Sequence, residues 1–120
     1  MATVRIVVVD DDLMMLDGVS RMLGRLGYEV LPADGALQAL EIIRNNPPVD
    51  LVVSDLLMPG MQGAQLVREI VRISPKTTGV LMTGGVINSA DILDVPVLKK
   101  PFSLTDLTSA VELALGRQNS

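Results

Sequence analysis

Six polar residues of this chain stand where they could do chemistry together: the run Asp10, Asp11 and Asp12, then Asp55, Thr83 and Lys100. Carboxylates gathered at one place repel, by roughly 1 to 4 kcal/mol for a like-charge pair at about 4 Å. A hard divalent cation relieves that repulsion. Magnesium suits best, because it takes one or two carboxylates, keeps waters and leaves room for a phosphate oxygen. Asp10, Asp11 and Asp55 are its expected ligands, while Asp12 reads as the N-cap of the helix that follows. Asp55 is also the expected nucleophile, since a carboxylate can attack a phosphoryl group and form an acyl phosphate. Lys100 brings a mobile positive charge, whereas Lys99, one strand residue earlier, should face the other way and stay solvated. Thr83 has a hydroxyl that can donate to a phosphate oxygen, and Gly84 and Gly85 leave the backbone free to approach one. The bond from Lys100 to Pro101 is a candidate for the cis form.

These residues can meet only if the fold brings them together. The apolar run 4–9 reads as a buried strand. Residues 13–26 read as a helix with Leu16, Val19, Leu23 and Leu26 on one face and Gly27 as its stop. A strand over 28–32 follows, then a helix over 36–45 with Ala36, Ala39, Leu40 and Ile43 inward, ended by the Asn-Asn-Pro-Pro run. Residues 50–54 read as a third strand leading to Asp55, and 63–73 as a helix with Leu66, Ile70 and Ile73 inward. Residues 78–83 make a fourth strand, 88–93 a short weak helix, and 95–99 a fifth strand whose Pro96 suits a sheet edge. The last helix covers 104–116 with Leu107, Val111 and Leu115 inward. Ser103 and Asp106 at its start have capping-box spacing. Strands alternating with helices imply right-handed crossovers and a parallel sheet, and nearly continuous apolar strands imply helices on both faces. Such a doubly wound α/β sheet binds its ligand outside the carboxyl ends of the strands. Every polar residue singled out above falls at one of those ends.

Composition narrows the chemistry. The 120 residues suit one domain over 1–120, and with 48% apolar residues a core needs no staples. The absence of cysteine and histidine excludes disulfides, thiol and histidine catalysis and the usual transition-metal ligands. It leaves oxygen ligands for any metal, and a phosphohistidine would have to come from another protein. A net charge of -4 with no basic block, one Tyr, one Phe and no Trp argues against nucleic-acid binding. Apolar runs are too short to span a membrane. The opening residues run directly into a strand, so no signal peptide is expected, and lack of cysteine suits a cytoplasmic setting.

Taken in order, VVVDDD at 7–12, SDLLMPGMQG at 54–63, LMTGG at 81–85 and LKKPF at 98–102 resemble the receiver domains of two-component response regulators. The resemblance covers the whole chain, and Asp55-x-x-Met58-Pro59 with Gly63 is its most specific part. It implies a flavodoxin-like strand order 2-1-3-4-5. It further implies magnesium on Asp10, Asp11, Asp55 and the backbone carbonyl of Leu57. Asp55 would be the phosphoacceptor, with Thr83 and Lys100 meeting the phosphoryl group. The donor would be a phosphohistidine on a sensor histidine kinase or histidine phosphotransfer domain. Receivers hydrolyse their own acyl phosphate but turn over no conventional substrate, so the chain is not expected to be an enzyme in the ordinary sense. Two departures lie on the face most members signal from. Val97 stands where many have Tyr or Phe, and the Thr83–Lys100 spacing is short. The short fourth helix before VPVLKKPF is similar to receivers attached to hybrid sensor kinases.

The alternative reading is a pseudo-receiver, a protein-interaction module that accepts no phosphate. A flavin carrier would need a Ser/Thr/Gly-rich phosphate loop where this chain has three aspartates. A phosphohydrolase acting on free substrates would need a cap or substrate pocket, which the sequence does not offer. Met14 and Met15, at the start of the first helix, could serve a docking partner or belong to the core.

Overall fold

The computed structural model describes residues 3–46, 48–85 and 95–119. Strand β1 (Arg5–Val9) leads into helix α1 (Leu13–Arg25), β2 (Glu29–Ala33) into α2 (Ala36–Asn45) and β3 (Leu51–Asp55) into α3 (Gly63–Ile73). Strand β4 (Thr78–Thr83), strand β5 (Val97–Lys99) and helix α4 (Leu104–Asn119) follow. The short helix expected over 88–93 lies outside the described residues.

The five strands are all parallel, in the order β2-β1-β3-β4-β5. The chain therefore starts in the middle of the sheet, winds to one edge at β2, and returns to the other side of β1. That reversal opens a crevice at the carboxyl ends of β1 and β3, the switch point at which such sheets bind ligands. Both prolines of the sheet region are at edges, where their missing N–H breaks no ladder. Pro32 lies in β2, and Pro96 enters β5 with its carbonyl accepting from the Leu81 amide at 3.0 Å.

Strand alternation divides the core in two. Val7, Val9, Val52 and Leu81 meet Ala39, Leu40 and Ile43 of α2 and Leu66, Val67 and Ile70 of α3. On the other face Ile6, Val8, Leu51, Val53, Val80 and Met82 meet Leu16, Val19 and Leu23 of α1 and Leu107 and Val111 of α4. The inward residues expected for α2 are all buried, and of those expected for the other helices Ile73 and Leu115 are half-buried. Leu26 departs from expectation: it is 37% exposed. It is the C-cap of α1, and Gly27, at a φ of 93°, turns the chain away before another helical turn could carry Leu26 inward. At the start of α4 the capping box is complete, with Asp106 N–H donating to Ser103 Oγ and Ser103 N–H to the Asp106 carboxylate, both at 3.0 Å. Among the described residues no helix is long and apolar enough to cross a membrane.

Candidate functional site

The sheet register decides which polar residues converge. Val9 pairs with Ser54, and Asp55 with Met82, so Asp10 and Asp55 leave adjacent strands side by side. Leu98 pairs with Met82 and Lys99 with Thr83. Lys100 therefore returns to the face of Met82 and Asp55, while Lys99 points away and is exposed. Oxygens of Asp10, Asp11 and Asp55 lie within 4.8 Å of one another. Lys100 Nζ stands 3.3 Å from Asp10 Oδ2 and 3.2 Å from Asp55 Oδ1. The Lys100–Pro101 peptide is cis, and the stem of Lys100 runs alongside Gly84.

Each member is held by its backbone neighbours. Asp10 is fully buried, and its Oδ1 accepts from the Asp12 N–H at 2.9 Å. Asp12 is the N-cap expected of it, accepting from the amides of Met14 and Met15. Asp11 is exposed. Asp55 ends β3, and beyond it the Leu56 amide bonds Met82 O at 2.8 Å and the Gly63 amide bonds Leu56 O at 2.9 Å. Gly63 starts α3 so close to this turn that a Cβ there would lie 2.1 Å from the Asp55 carbonyl oxygen. Thr83 occupies the neighbouring strand end, buried, with its hydroxyl accepting from the Gly85 amide at 3.2 Å and its carbonyl from the Lys100 amide at 2.7 Å. Leu57 is exposed just past Asp55. The fold thus brings Asp10, Asp11, Asp55 and Lys100 into one cluster, with Thr83 and Leu57 on its rim. Met14 is 86% exposed beside it, which removes Met14 from the core, whereas Met15 packs partly against the α1/α4 side.

Burial, and then the charge of Asp10, raise the Asp55 pKa above the ordinary carboxylate value, against the opposing pull of Lys100 and the Leu56 amide. Burial alone would lower the Lys100 pKa, but the carboxylates of Asp10 and Asp55 outweigh it and raise it. One ammonium therefore neutralises only part of a three-carboxylate cluster. Three oxygen donors this close, still short of positive charge, fit a hard divalent cation and offer nothing to a soft one.

Sequence reasoning overlooked Ser54. It is fully buried, and its hydroxyl donates to the Asp55 carbonyl at 2.9 Å. The signal was a polar residue inside an apolar strand, at a position facing the core.

Residues 6–112 match the family model described as the response regulator receiver domain. The chain belongs to that family. It is 32% identical to the response regulator receiver protein CpdR of Brucella abortus, over 92% of this chain and 96% of that protein. It is 35% identical to the sensor kinase CckA of the same organism, over 95% of this chain but 13% of the kinase. A putative two-component response regulator of Arabidopsis thaliana is 33% identical over 98% of this chain and 20% of that protein. The chain thus spans a minor part of the latter two. Among solved structures, a receiver domain from Clostridium thermocellum superposes with a TM-score of 0.86 at 30% identity, over 97% of each chain. The signal receiver domain of an HD domain-containing protein from Pseudomonas fluorescens does so with a TM-score of 0.89 at 30% identity, over 98% of each. Receiver domains are signalling domains that carry an acidic magnesium site and work with histidine kinases or phosphotransfer partners.

Proposed function

We propose that residues 1–120 act as one cytoplasmic receiver domain that takes a phosphoryl group from a partner's phosphohistidine onto Asp55. The observation that carries this is the cluster of Asp10, Asp11 and Asp55 oxygens within 4.8 Å, with Lys100 bonded to two of the three residues. Asp10, Asp11 and Asp55, with the Leu57 carbonyl, are the proposed magnesium ligands. When bound, magnesium would offset the charge on the carboxylates and on the phosphoryl oxygens.

The chain's own residues do the rest. A carboxylate oxygen of Asp55 attacks phosphorus as the P–N bond to the partner's imidazole breaks. The imidazole leaves with the bonding pair and takes up a proton. The new acyl phosphate adds about -1.5 to -2 charges. Lys100 is already within reach of this charge and turns from the carboxylates to the phosphoryl oxygens. Thr83 exchanges its bond to the Gly85 amide for one to the phosphoryl group, and the loops after β4 and β5 follow these two residues. Attack of water on the same phosphorus later restores Asp55.

The test is intact-mass spectrometry after incubation with a small acyl-phosphate donor, with and without magnesium, repeated with a phosphohistidine protein as donor. The expected result is a magnesium-dependent phosphoryl adduct on the wild type and none on Asp55→Asn. Absence of an adduct with both donors would favour the pseudo-receiver reading, and an adduct on Asp55→Asn at the same site would overturn the assignment of the nucleophile.

A further inference from the structure

We infer that Ser54 is a positioning residue for the magnesium and phosphoryl site, acting through the backbone carbonyl of Asp55; this rests on the phosphoacceptor reading above. Asp55 is where β3 stops and the chain turns toward α3, so its peptide plane is the hinge between a rigid strand and a loop. That plane is held from two sides. The Ser54 hydroxyl donates to the Asp55 oxygen at 2.9 Å, and Gly63 packs against the same oxygen so tightly that a Cβ would come to 2.1 Å. The next peptide is fixed as well, because the Leu56 N–H bonds Met82 O and Leu56 O accepts from Gly63.

Two things follow from a fixed Asp55 carbonyl. Its ψ angle is fixed, so the Asp55 side chain leaves the backbone in one direction, toward Asp10 and Lys100. The direction of the chain into Leu57, whose carbonyl is a proposed ligand, is fixed with it. Magnesium demands near-ideal octahedral geometry at about 2.0–2.1 Å and tolerates little drift in its ligands. A group that orients a ligand can therefore matter nearly as much as the ligand itself. Packing alone does not call for a hydroxyl at this fully buried position, where an alanine would also let α3 approach.

The experiment compares wild type, Ser54→Ala and Ser54→Cys in three measurements: magnesium affinity by calorimetry, adduct formation from a small acyl phosphate by intact mass, and urea stability in a chelator. Ser54→Ala is expected to weaken magnesium binding about tenfold and to slow adduct formation at limiting magnesium by the same factor. Ser54→Cys keeps the volume with a much weaker donor, and its affinity should fall between the two. Should Ser54→Ala fail to fold, the cysteine variant alone decides. A wild-type magnesium affinity in whichever variant folds, even with lowered stability, would show a purely structural serine and overturn the inference. Failure of the wild type to bind magnesium, or to form an adduct with either a small acyl phosphate or a phosphohistidine protein, would instead remove the phosphoacceptor reading, and this inference with it.

Discussion

Removing the proposed nucleophile should make the metal-free protein more stable. Oxygens of Asp10, Asp11 and Asp55 lie within 4.8 Å of one another, and at an effective dielectric of about 20 each repulsion at that separation costs about 3.5 kcal/mol. The ammonium of Lys100, 3.2 Å from Asp55, returns about 5 kcal/mol on the same scale. Two repulsions less one attraction leave about 2 kcal/mol against a charged Asp55. Exposure of Asp11 reduces this figure, and the lost hydration of Asp55, whose side chain is 13% exposed, adds to it. Asparagine keeps the shape, drops the charge, and leaves Lys100 its bond to Asp10. Asp55→Asn should therefore stabilise the protein in a chelator at neutral pH by about 1 to 2 kcal/mol, which moves the urea midpoint up by about 0.5 to 1 M.

The pH dependence has a definite sign. The folded-state pKa of Asp55 is raised, so the unfolded chain loses this proton at lower pH than the native one does. Below the ordinary carboxylate range both states are protonated, and the variant gains nothing from this group. The penalty on the wild type grows as pH rises, up to the raised folded value, and is constant above it. Magnesium should invert the order, since a ligand at 100 times its Kd stabilises by about 2.7 kcal/mol and the variant lacks one of the proposed metal ligands. Urea melts of both proteins from acid to neutral pH, in chelator and in magnesium, would show this. A less stable variant in chelator at neutral pH, or an advantage that grows toward acid, would refute the repulsion argument.

Lys100→Gln should lower metal-free stability by about 2 kcal/mol, because Asp10 would stay buried without its counter-charge. Since the folded Lys100 pKa is raised by its carboxylate partners, that loss should be level from above the pH at which Asp55 takes up its proton to the ordinary lysine range, and should shrink toward acid, as urea melts would show. The same variant should bind magnesium more tightly by calorimetry, as the ammonium no longer competes for Asp10 and Asp55. Gly63→Ala should cost about 3 kcal/mol or more, or prevent folding, because its Cβ would overlap the Asp55 carbonyl; thermal melts would measure it. Asp106→Ala should cost about 1 kcal/mol through the lost cap of α4 while leaving the magnesium affinity unchanged.

Much of this was legible in the sequence because it depends on local rules. Strand alternation and helix spacing placed the core. The parity of neighbours distinguished Lys100 from Lys99, and Asp12 preceding an apolar helix was legible as its cap. What escaped depends on how the elements end and how they meet one another. Leu26 has the right spacing for the inner face of α1 and is exposed only because Gly27 ends the helix there. Met14 could not be assigned until the turn of α1 against the sheet was known. Ser54 looked like one more strand residue, and its role depends on how near α3 comes to the end of β3. Gly63 was recognised as part of a motif, but the reason for it, a carbonyl oxygen with no room beside it, exists only in the folded chain.

The site is costly to build, and its position follows from that cost. A carboxylate with no solvent exposure has lost its hydration and needs partners that hold its charge. For Asp10 that support is the Asp12 amide, present because the chain must turn into α1, and Lys100, present because β5 lies in register with β4. Neither support is local to Asp55, yet the strand order brings Asp10 and Lys100 beside it. A parallel sheet whose two faces are covered by helices has a rigid, apolar base, with charges affordable only at its carboxyl rim. The switch between β1 and β3 is the place on that rim where two successive strand ends diverge into different helices and leave a crevice. The ammonium that makes the cluster tolerable without metal occupies the oxygens a metal would need. Stability of the resting protein and readiness to bind magnesium are therefore opposed at this one lysine, and in the proposed reaction the phosphoryl group would resolve the conflict by drawing the lysine to itself.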